Sequence, residues 1–249
     1  MPLSEGVGLP RNALRPLRVG GLTPLSTTDY PGQLAAVVFC QGCPWRCGYC
    51  HNPHLVPTRG ASQIPWDEVL AFLRRRQGLL DAVVFSGGEP LAQRALVDAM
   101  RTVKQYGFKI GLHTGGAYPG RLAEVLPLVD WIGFDVKAPF DAYPLITGAL
   151  GSGVDAQSSA RLVIQSGVAH EFRTTVHPRQ LSPLAVRRLA DDLARSGVRH
   201  YALQEFRAQG CANAALVNDR PPSFLTEHFG AAIAPSFASF ELRRANPRT

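Results

Sequence analysis

Three thiols spaced Cys43-x3-Cys47-x2-Cys50 stand in one short run, FCQGCPWRCGYC, at residues 39–50. Cys40 stands at the start of the same run, and the fifth cysteine, Cys211, lies far along the chain. In a reducing compartment, thiols this close serve metal binding or catalysis rather than disulfides. Soft thiolates suit zinc or an iron–sulfur cluster. A structural zinc ion needs a fourth ligand, which Cys40, His51 or His54 could supply. Three ligands to a four-iron cluster would instead leave one iron open to a cofactor.

The elements that must position these thiols can be read from the alternation of apolar runs and amphipathic stretches. Ala35–Phe39 (AAVVF) reads as a buried strand ending at the cysteines. Val69, Leu70 and Leu73 recur at helical spacing behind Pro65, which suits a first turn. Ala82–Phe85 is a second strand, followed by a helix lined by Leu96, Ala99, Met100 and Val103. Strands are predicted at Lys109–His113, Trp131–Val136, Glu171–Val176 and Tyr201–Leu203, with helices near 121–126, 156–164 and from Ser182-Pro183 to Gly197. Six strand–helix alternations predict a parallel sheet curled into a barrel or part of one. Beyond Cys211 the pattern dissolves, and Pro221-Pro222 reads as a loop before a short tail.

The chain of 249 residues, 45% of them hydrophobic, can bury one full core and reads as a single domain. No stretch approaches the ~20 apolar residues of a membrane span. The N-terminal segment has arginines but no apolar core of a signal peptide, so a cytoplasmic location is expected. A net charge of +7 suits acidic partners or arginine-rich solvated faces. No aromatic–basic stripe supports a nucleic-acid partner.

Polar motifs recur at the C-terminal ends of the predicted strands, the face where parallel α/β barrels carry active sites. They are the cysteine run, Ser86–Pro90 (SGGEP), His113–Gly116 (HTGG), Asp135–Lys137 (DVK), Val176–Pro178 (VHP) and Gln204–Phe206 (QEF). Each motif also has a plainer reading. Cys40 suits a small buried core position, and Cys211 a structural one. Asn52-Pro53 makes the duty of His51 and His54 loop geometry. His113 and His177 either line a pocket or are satisfied core histidines. Asp135 and Lys137, at i and i+2, share one face of a strand, as an ion pair or as ligand contacts.

CPWRCGYC, with Tyr49 before its last cysteine, resembles the cluster motif of the radical S-adenosylmethionine (SAM) superfamily. SGGEP, one strand later, resembles that superfamily's second-strand motif. The segments around them, TTDYPGQLAAVVFCQGCPWRCGYCHNPHLV, DWIGFDVKAP, EFRTTVHP and YALQEFRAQGC, are similar to the activating proteins of anaerobic ribonucleoside-triphosphate reductase, a family of glycyl-radical-enzyme activases. The likeness runs from about Gly20 to Cys211.

That resemblance implies a partial (β/α)6 barrel, with a core of about 20–211 between an N-terminal extension (1–19) and a C-terminal tail (212–249). It implies a [4Fe–4S] cluster on Cys43, Cys47 and Cys50, and SAM as cofactor. Gly87, Gly88 and Glu89, followed by Pro90, would hold the methionyl end of SAM. Tyr49, Thr114, Asp135, Lys137 and His177 would lie near SAM, and Arg173 would reach its carboxylate. HTGG departs from the Thr-Asn-Gly type sequence of many relatives at Thr114. The reaction implied is reductive cleavage of SAM to a 5′-deoxyadenosyl radical, which abstracts hydrogen from a glycine of the reductase. Reduced flavodoxin or ferredoxin would supply the electron. Other radical SAM reactions, such as activation of pyruvate formate-lyase, and a zinc-binding module are the alternatives.

Overall fold

The computed structural model of the chain describes residues 16–61, 63–219 and 221–245. Residues 1–15, which carry most of the expected N-terminal extension, lie outside the described residues.

The chain begins with β1 (Val19–Ser26) and β2 (Ala35–Cys40), then α1 (Trp66–Arg74), β3 (Ala82–Gly87) and α2 (Leu96–Gln105). It continues through β4 (Lys109–Thr114), α3 (Pro119–Val125), β5 (Trp131–Asp135), α4 (Tyr143–Thr147) and α5 (Ser152–Gln165). The last part holds β6 (Ala169–Val176), α6 (Pro183–Arg195), β7 (His200–Glu205), α7 (Ala214–Asn218), α8 (Glu227–Ile233) and β8 (Ser239–Arg243). All eight strands form one sheet in chain order, with β1 and β8 as its edges. Strands β2 to β8 run parallel, and β1 is antiparallel to β2.

The six parallel strands β2 to β7 are those expected from the sequence. Two more were not expected. The hairpin to β1 begins inside the supposed extension, and the tail folds back as α7, α8 and β8. Its apolar residues form no continuous strand-like run, yet Phe237 and Phe240 pack on Tyr201 of β7 at 4.9 and 6.1 Å between rings. The free edge of β7 recruits a segment whose own pattern is too short to read as a strand.

Side chains alternate across each strand, so two separate cores form. In β2, Ala36, Val38 and Cys40 join the large cluster beneath the helices, while Ala35 and Val37 point to the other face. There Tyr30, Ala82, Val84 and Trp131 complete a small apolar plug. Tyr30 lies 5.5 Å from Trp131, so the turn at Asp29-Tyr30-Pro31 closes this end of the sheet's inner face. Above the plug the inner positions become polar: His113, Asp135, Arg173 and Thr175.

Ser182 caps α6 by accepting from the Ala185 N–H at 3.2 Å, as its sequence position predicts. Among the described residues no helix is long and apolar enough to cross a membrane.

Candidate active site

The floor of the site is a crossing of two backbone loops. Gly88 N–H donates to Cys40 O (2.9 Å) and Glu89 N–H to Gly42 O (2.9 Å). On the other side of the cysteine loop, Gly42 N–H donates to Leu55 O (2.7 Å) and Cys43 N–H to Val56 O (3.0 Å). This crossing demands glycine. A Cβ on Gly88 would stand 2.5 Å from Gly42 O, and one on Gly87 would stand 2.5 Å from Cys40 N. Gly87 also has φ +111°, a region that L side chains avoid.

Two buried amides that the sequence reading passed over tie this floor to the rest. Gln93, just after the SGGEP turn, donates to Arg18 O (2.8 Å) and Gln41 O (3.1 Å) and accepts from Arg18 N–H (2.8 Å). Gln41 donates to His54 O (3.0 Å) and Pro57 O (2.7 Å). An isolated glutamine carries no local pattern, so only the long-range fold reveals this clamp.

Cys43, Cys47 and Cys50 border a cavity at the C-terminal ends of the strands, together with Tyr49, Gly87, Gly88 and Glu89. Thr114, Asp135 and Lys137 line the same cavity from β4 and the end of β5, and His113 joins them. Burial pushes the Cys43 thiol up to about 12, with the Glu89 charge adding to it. Burial raises Cys47 as well, partly offset by Lys137. Such thiols become thiolates when a bound cation repays the desolvation. Among the described residues no three His, Cys, Asp or Glu side chains converge as around one metal ion. A four-iron cluster takes each cysteine on a different iron, so thiols spread along one loop, over a floor without side chains, fit it.

Glu89 is buried and stitches β3 to β4. Its Oε1 accepts from the Thr114 hydroxyl (2.7 Å) and Leu91 N–H (3.1 Å), and its Oε2 from Gly115 N–H (3.1 Å). Burial still raises its pKa despite those three donors. Pro90 starts the short turn after Glu89 and is itself buried, away from the cavity lining. Trp45 covers Gly115, whose Cβ would meet the indole at 2.4 Å, and stands edge-on to Tyr143.

The charged wall comes from β5 and β6. Asp135 pairs with Arg173 Nε at 3.0 Å and with Lys137 Nζ at 3.5 Å. The two strands place Asp135 directly opposite Arg173. Burial works against the Asp135 charge, but Arg173 and then Lys137 hold its carboxyl at about 2. Burial also disfavours the Lys137 ammonium, and Asp135 overcomes it, leaving the pKa well above the usual lysine range. Lys137 Nζ stands 5.9 Å from the Tyr49 ring centre. Burial, with Arg173 beside it, pushes His113 down to about 4. His113 Nε2 stands 2.8 Å from Asp29 O.

Besides Pro90, two expected positions stand outside the residues that line this cavity. Arg173 lies behind the cavity lining, its guanidinium resting where a Gly133 side chain would be and pairing with Asp135. Gly133 is the signal the sequence reading missed. His177 is buried and outside the lining: its Nε2 stands 3.1 Å from Leu216 O, its Nδ1 accepts from Arg179 N–H (3.1 Å), and its ring packs edge-on against Phe206. The predicted VHP strand end is present, but the ring points into the packing beneath 206–216. His51 faces that same segment, with Nε2 2.8 Å from Arg207 O and its ring stacked on Phe206. Cys211 donates to Gly48 O at 3.7 Å, and Cys40 is wholly buried.

Comparison with known proteins matches these observations. The radical SAM superfamily pattern covers residues 37–180. A Methanocaldococcus jannaschii protein named for glycyl-radical enzyme activation is 32% identical over 197 residues, 76% of this chain and 79% of that protein. A Clostridium pasteurianum pyruvate formate-lyase-activating enzyme is 35% identical over 144 residues, which span 55% of this chain and 60% of that enzyme. Among solved structures, Escherichia coli QueE superposes with a TM-score of 0.54 at 16% identity, covering 92% of this chain and 94% of QueE. Streptococcus suis SuiB bound to S-adenosylmethionine gives 0.63 at 11% identity, covering 83% of this chain and 48% of SuiB. At such identities the structural likeness shows the fold: a partial barrel of the radical SAM type. With the pattern spanning more than half its length and a relative aligned over three quarters of it, the chain belongs to the radical SAM superfamily, among the glycyl-radical-enzyme activases.

Proposed function

We propose that the chain generates the glycyl radical of anaerobic ribonucleoside-triphosphate reductase, taking its electron from reduced flavodoxin or ferredoxin. The family's cofactors are a [4Fe–4S] cluster and SAM, which supply one-electron cleavage of a carbon–sulfur bond and a hydrogen-abstracting 5′-deoxyadenosyl radical. The remaining work belongs to this chain's residues. Cys43, Cys47 and Cys50 would hold the cluster, and the Gly87–Gly88 crossing would let its ligands approach bare backbone. Glu89, fixed by Thr114 and Gly115, would set the carbonyls that face the SAM ammonium, with Pro90 shaping the turn. Asp135 and Lys137 would contact the charged end of SAM, and Arg173 would hold Asp135 in place. Tyr49, Trp45 and Tyr143 exclude water from that end.

The observation that carries the reading is the convergence of three thiols, a side-chain-free floor and an Asp135–Lys137 wall, backed by Arg173, on one cavity. The sheet is open, running from β1 to β8 among the described residues, which supports a macromolecular substrate that completes the enclosure. The choice of reductase rests on the sequence segments around the motifs. Activation of pyruvate formate-lyase is the second reading, favoured by the Clostridium relative.

Reconstituted protein, reduced anaerobically with SAM and the reductase, should give a glycyl doublet by electron paramagnetic resonance. The doublet should vanish when the partner's C-terminal glycine is changed to alanine, and Cys47→Ala should bind no cluster and give no doublet. A doublet on pyruvate formate-lyase alone would replace the first reading with the second.

A further inference from the structure

Two groups of charged side chains lie on the inner face of the sheet. Lys137, Asp135 and Arg173 form the wall of the cavity. Glu171, Arg243 and Glu241 form the other group. Arg243 meets both carboxylate oxygens of Glu171, Nη1 to Oε1 at 2.9 Å and Nη2 to Oε2 at 2.8 Å, and its Nη2 also meets Glu241 Oε2 at 2.6 Å. Arg243 belongs to β8, the strand formed by the tail. It reaches Glu171 of β6 across β7, where the residue level with Arg173 and Glu241 is the small Ala202.

The two groups meet on β6. Side chains alternate along a strand, so Glu171 and Arg173, at i and i+2, share one face, while Phe172 between them packs into the large core. The register sets Asp135 opposite Arg173 and Gly133 opposite Glu171. Gly133 leaves the space into which the Arg173 guanidinium folds, with its two Nη atoms 2.5 and 2.8 Å from where a Gly133 Cβ would stand. The guanidinium therefore lies between two carboxylates: Asp135, two residues on along β5, and Glu171, beside Gly133 on β6. Among the described residues it donates to Asp135 alone, from Nε at 3.0 Å.

A guanidinium between two carboxylates is drawn to the one less well neutralised. Glu171 is only 19% exposed, so its charge needs a partner. Arg243 supplies one in the two-pronged geometry that makes arginine–carboxylate pairs strong. Glu241 shares Arg243, but at 59% exposure its charge is largely screened by water. With both Glu171 oxygens engaged, the pull that would take Arg173 away from Asp135 is cancelled.

We propose that β8 sets the charged wall from a distance: Arg243 holds Glu171 so that Arg173 serves Asp135 alone, which makes Arg243 a positioning residue for that wall. Its consequence for SAM rests on the reading that Asp135 and Lys137 meet the charged end of the cofactor. The tail beyond Cys211 thereby gains a task in the site, although no residue of β8 lines the cavity.

The test is a charge rescue in the full-length, cluster-loaded protein. Arg243→Leu should weaken SAM binding about fivefold without loss of iron, less than removal of Arg173 itself. Glu171→Gln alone should leave SAM affinity within about twofold of wild type, because a neutral amide does not compete for Arg173. Combining the two changes should restore affinity to within about twofold, a rescue that mere loosening of β8 would not allow. A crystal structure of Arg243→Leu should show the Arg173 guanidinium turned to Glu171 at about 2.9 Å and its bond to Asp135 broken. If Arg243→Leu folds poorly, Arg243→Lys keeps the charge without the two-pronged pairing, and it should show a smaller loss that Glu171→Gln again repairs. The proposal is overturned if the double variant binds SAM as weakly as the Arg243 variant alone, or if Arg173 stays on Asp135 in that variant's structure. Arg173 turned to Glu171 with SAM affinity unchanged would support the pairing and remove Asp135 from the SAM contacts, which tells the two failures apart.

Discussion

Where the cysteine loop crosses the Gly87–Gly88 turn, the cavity is made of backbone; where β5 meets β6, it is made of charge. The crossing has no slack: carbonyl and amide atoms lie 2.5 Å from where the two glycine Cβ atoms would be. The wall has slack in position but not in charge, because Asp135 is held ionised by Arg173 and Lys137, which stand 3.0 and 3.5 Å away. A backbone crossing fails through shape, and an ion cluster fails through protonation or loss of a partner. The two parts of one site should therefore respond to different perturbations.

The largest effect should come from shape. Gly88→Ala forces a methyl onto Gly42 O, and overpacking of this kind costs about 1–3 kcal/mol. The cysteine loop is the part that can yield, so the variant should retain less than half the wild-type iron after anaerobic reconstitution. Gly120→Ala, on α3 with nothing within 4 Å of the new methyl, should bind iron normally and unfold at equal or higher urea concentration. Equal iron content in the two variants would remove the crossing from its role.

A smaller effect should come from the wall. Arg173→Ala should leave iron content unchanged and weaken SAM binding about tenfold, in line with a lost charge-assisted contact of about 1.5 kcal/mol. Because the guanidinium acts through Asp135, Asp135→Asn combined with Arg173→Ala should weaken SAM little more than either change alone. Fully additive losses would show that Arg173 reaches the cofactor independently.

The smallest effect should be a dependence on pH. The folded pKa of His113, about 4, lies below its ordinary value near 6.5, so the unfolded chain binds more protons between those limits. Its contribution is complete above about pH 6.5 and is lost as pH falls toward 4. His113→Gln should therefore lose less stability between pH 7 and pH 4.5 than the wild-type chain, read as the shift in urea midpoint. Parallel losses in both proteins would place the acid sensitivity elsewhere.

The residues legible in advance were those whose neighbours in sequence are also their partners in function. The Cx3Cx2C run and the double glycine announce themselves because a single loop carries each. β2 to β7 were legible because strands buried on both faces leave continuous apolar runs such as AAVVF. β8 was not, since its five residues, none of them buried, carry no such run and owe their strand to the edge of β7. Arg173 was expected to reach the cofactor directly; that it lies behind Asp135 depends on the β5–β6 register and the space left by Gly133. His177 shows the reverse case: the residue pattern left it between lining the pocket and sitting satisfied in the core, and its ring serves the packing under 206–216.

The sequence by itself determined the thiols, their spacing, the glycine turn and the order of strands that brings both to one end of a sheet. These are local: ligand spacing depends on a few bonds, and strand order follows from alternating periods along the chain. The tertiary structure decided which polar groups are spent and which remain free. Gln93 and Gln41 are consumed in clamping the cysteine loop, whereas the side chains of Gln204 and Asn52 make no hydrogen bond to any described residue. The same side chain serves both purposes, and only the position of residues tens of places away in the chain decides whether its hydrogen bonds close within the protein or wait for a ligand.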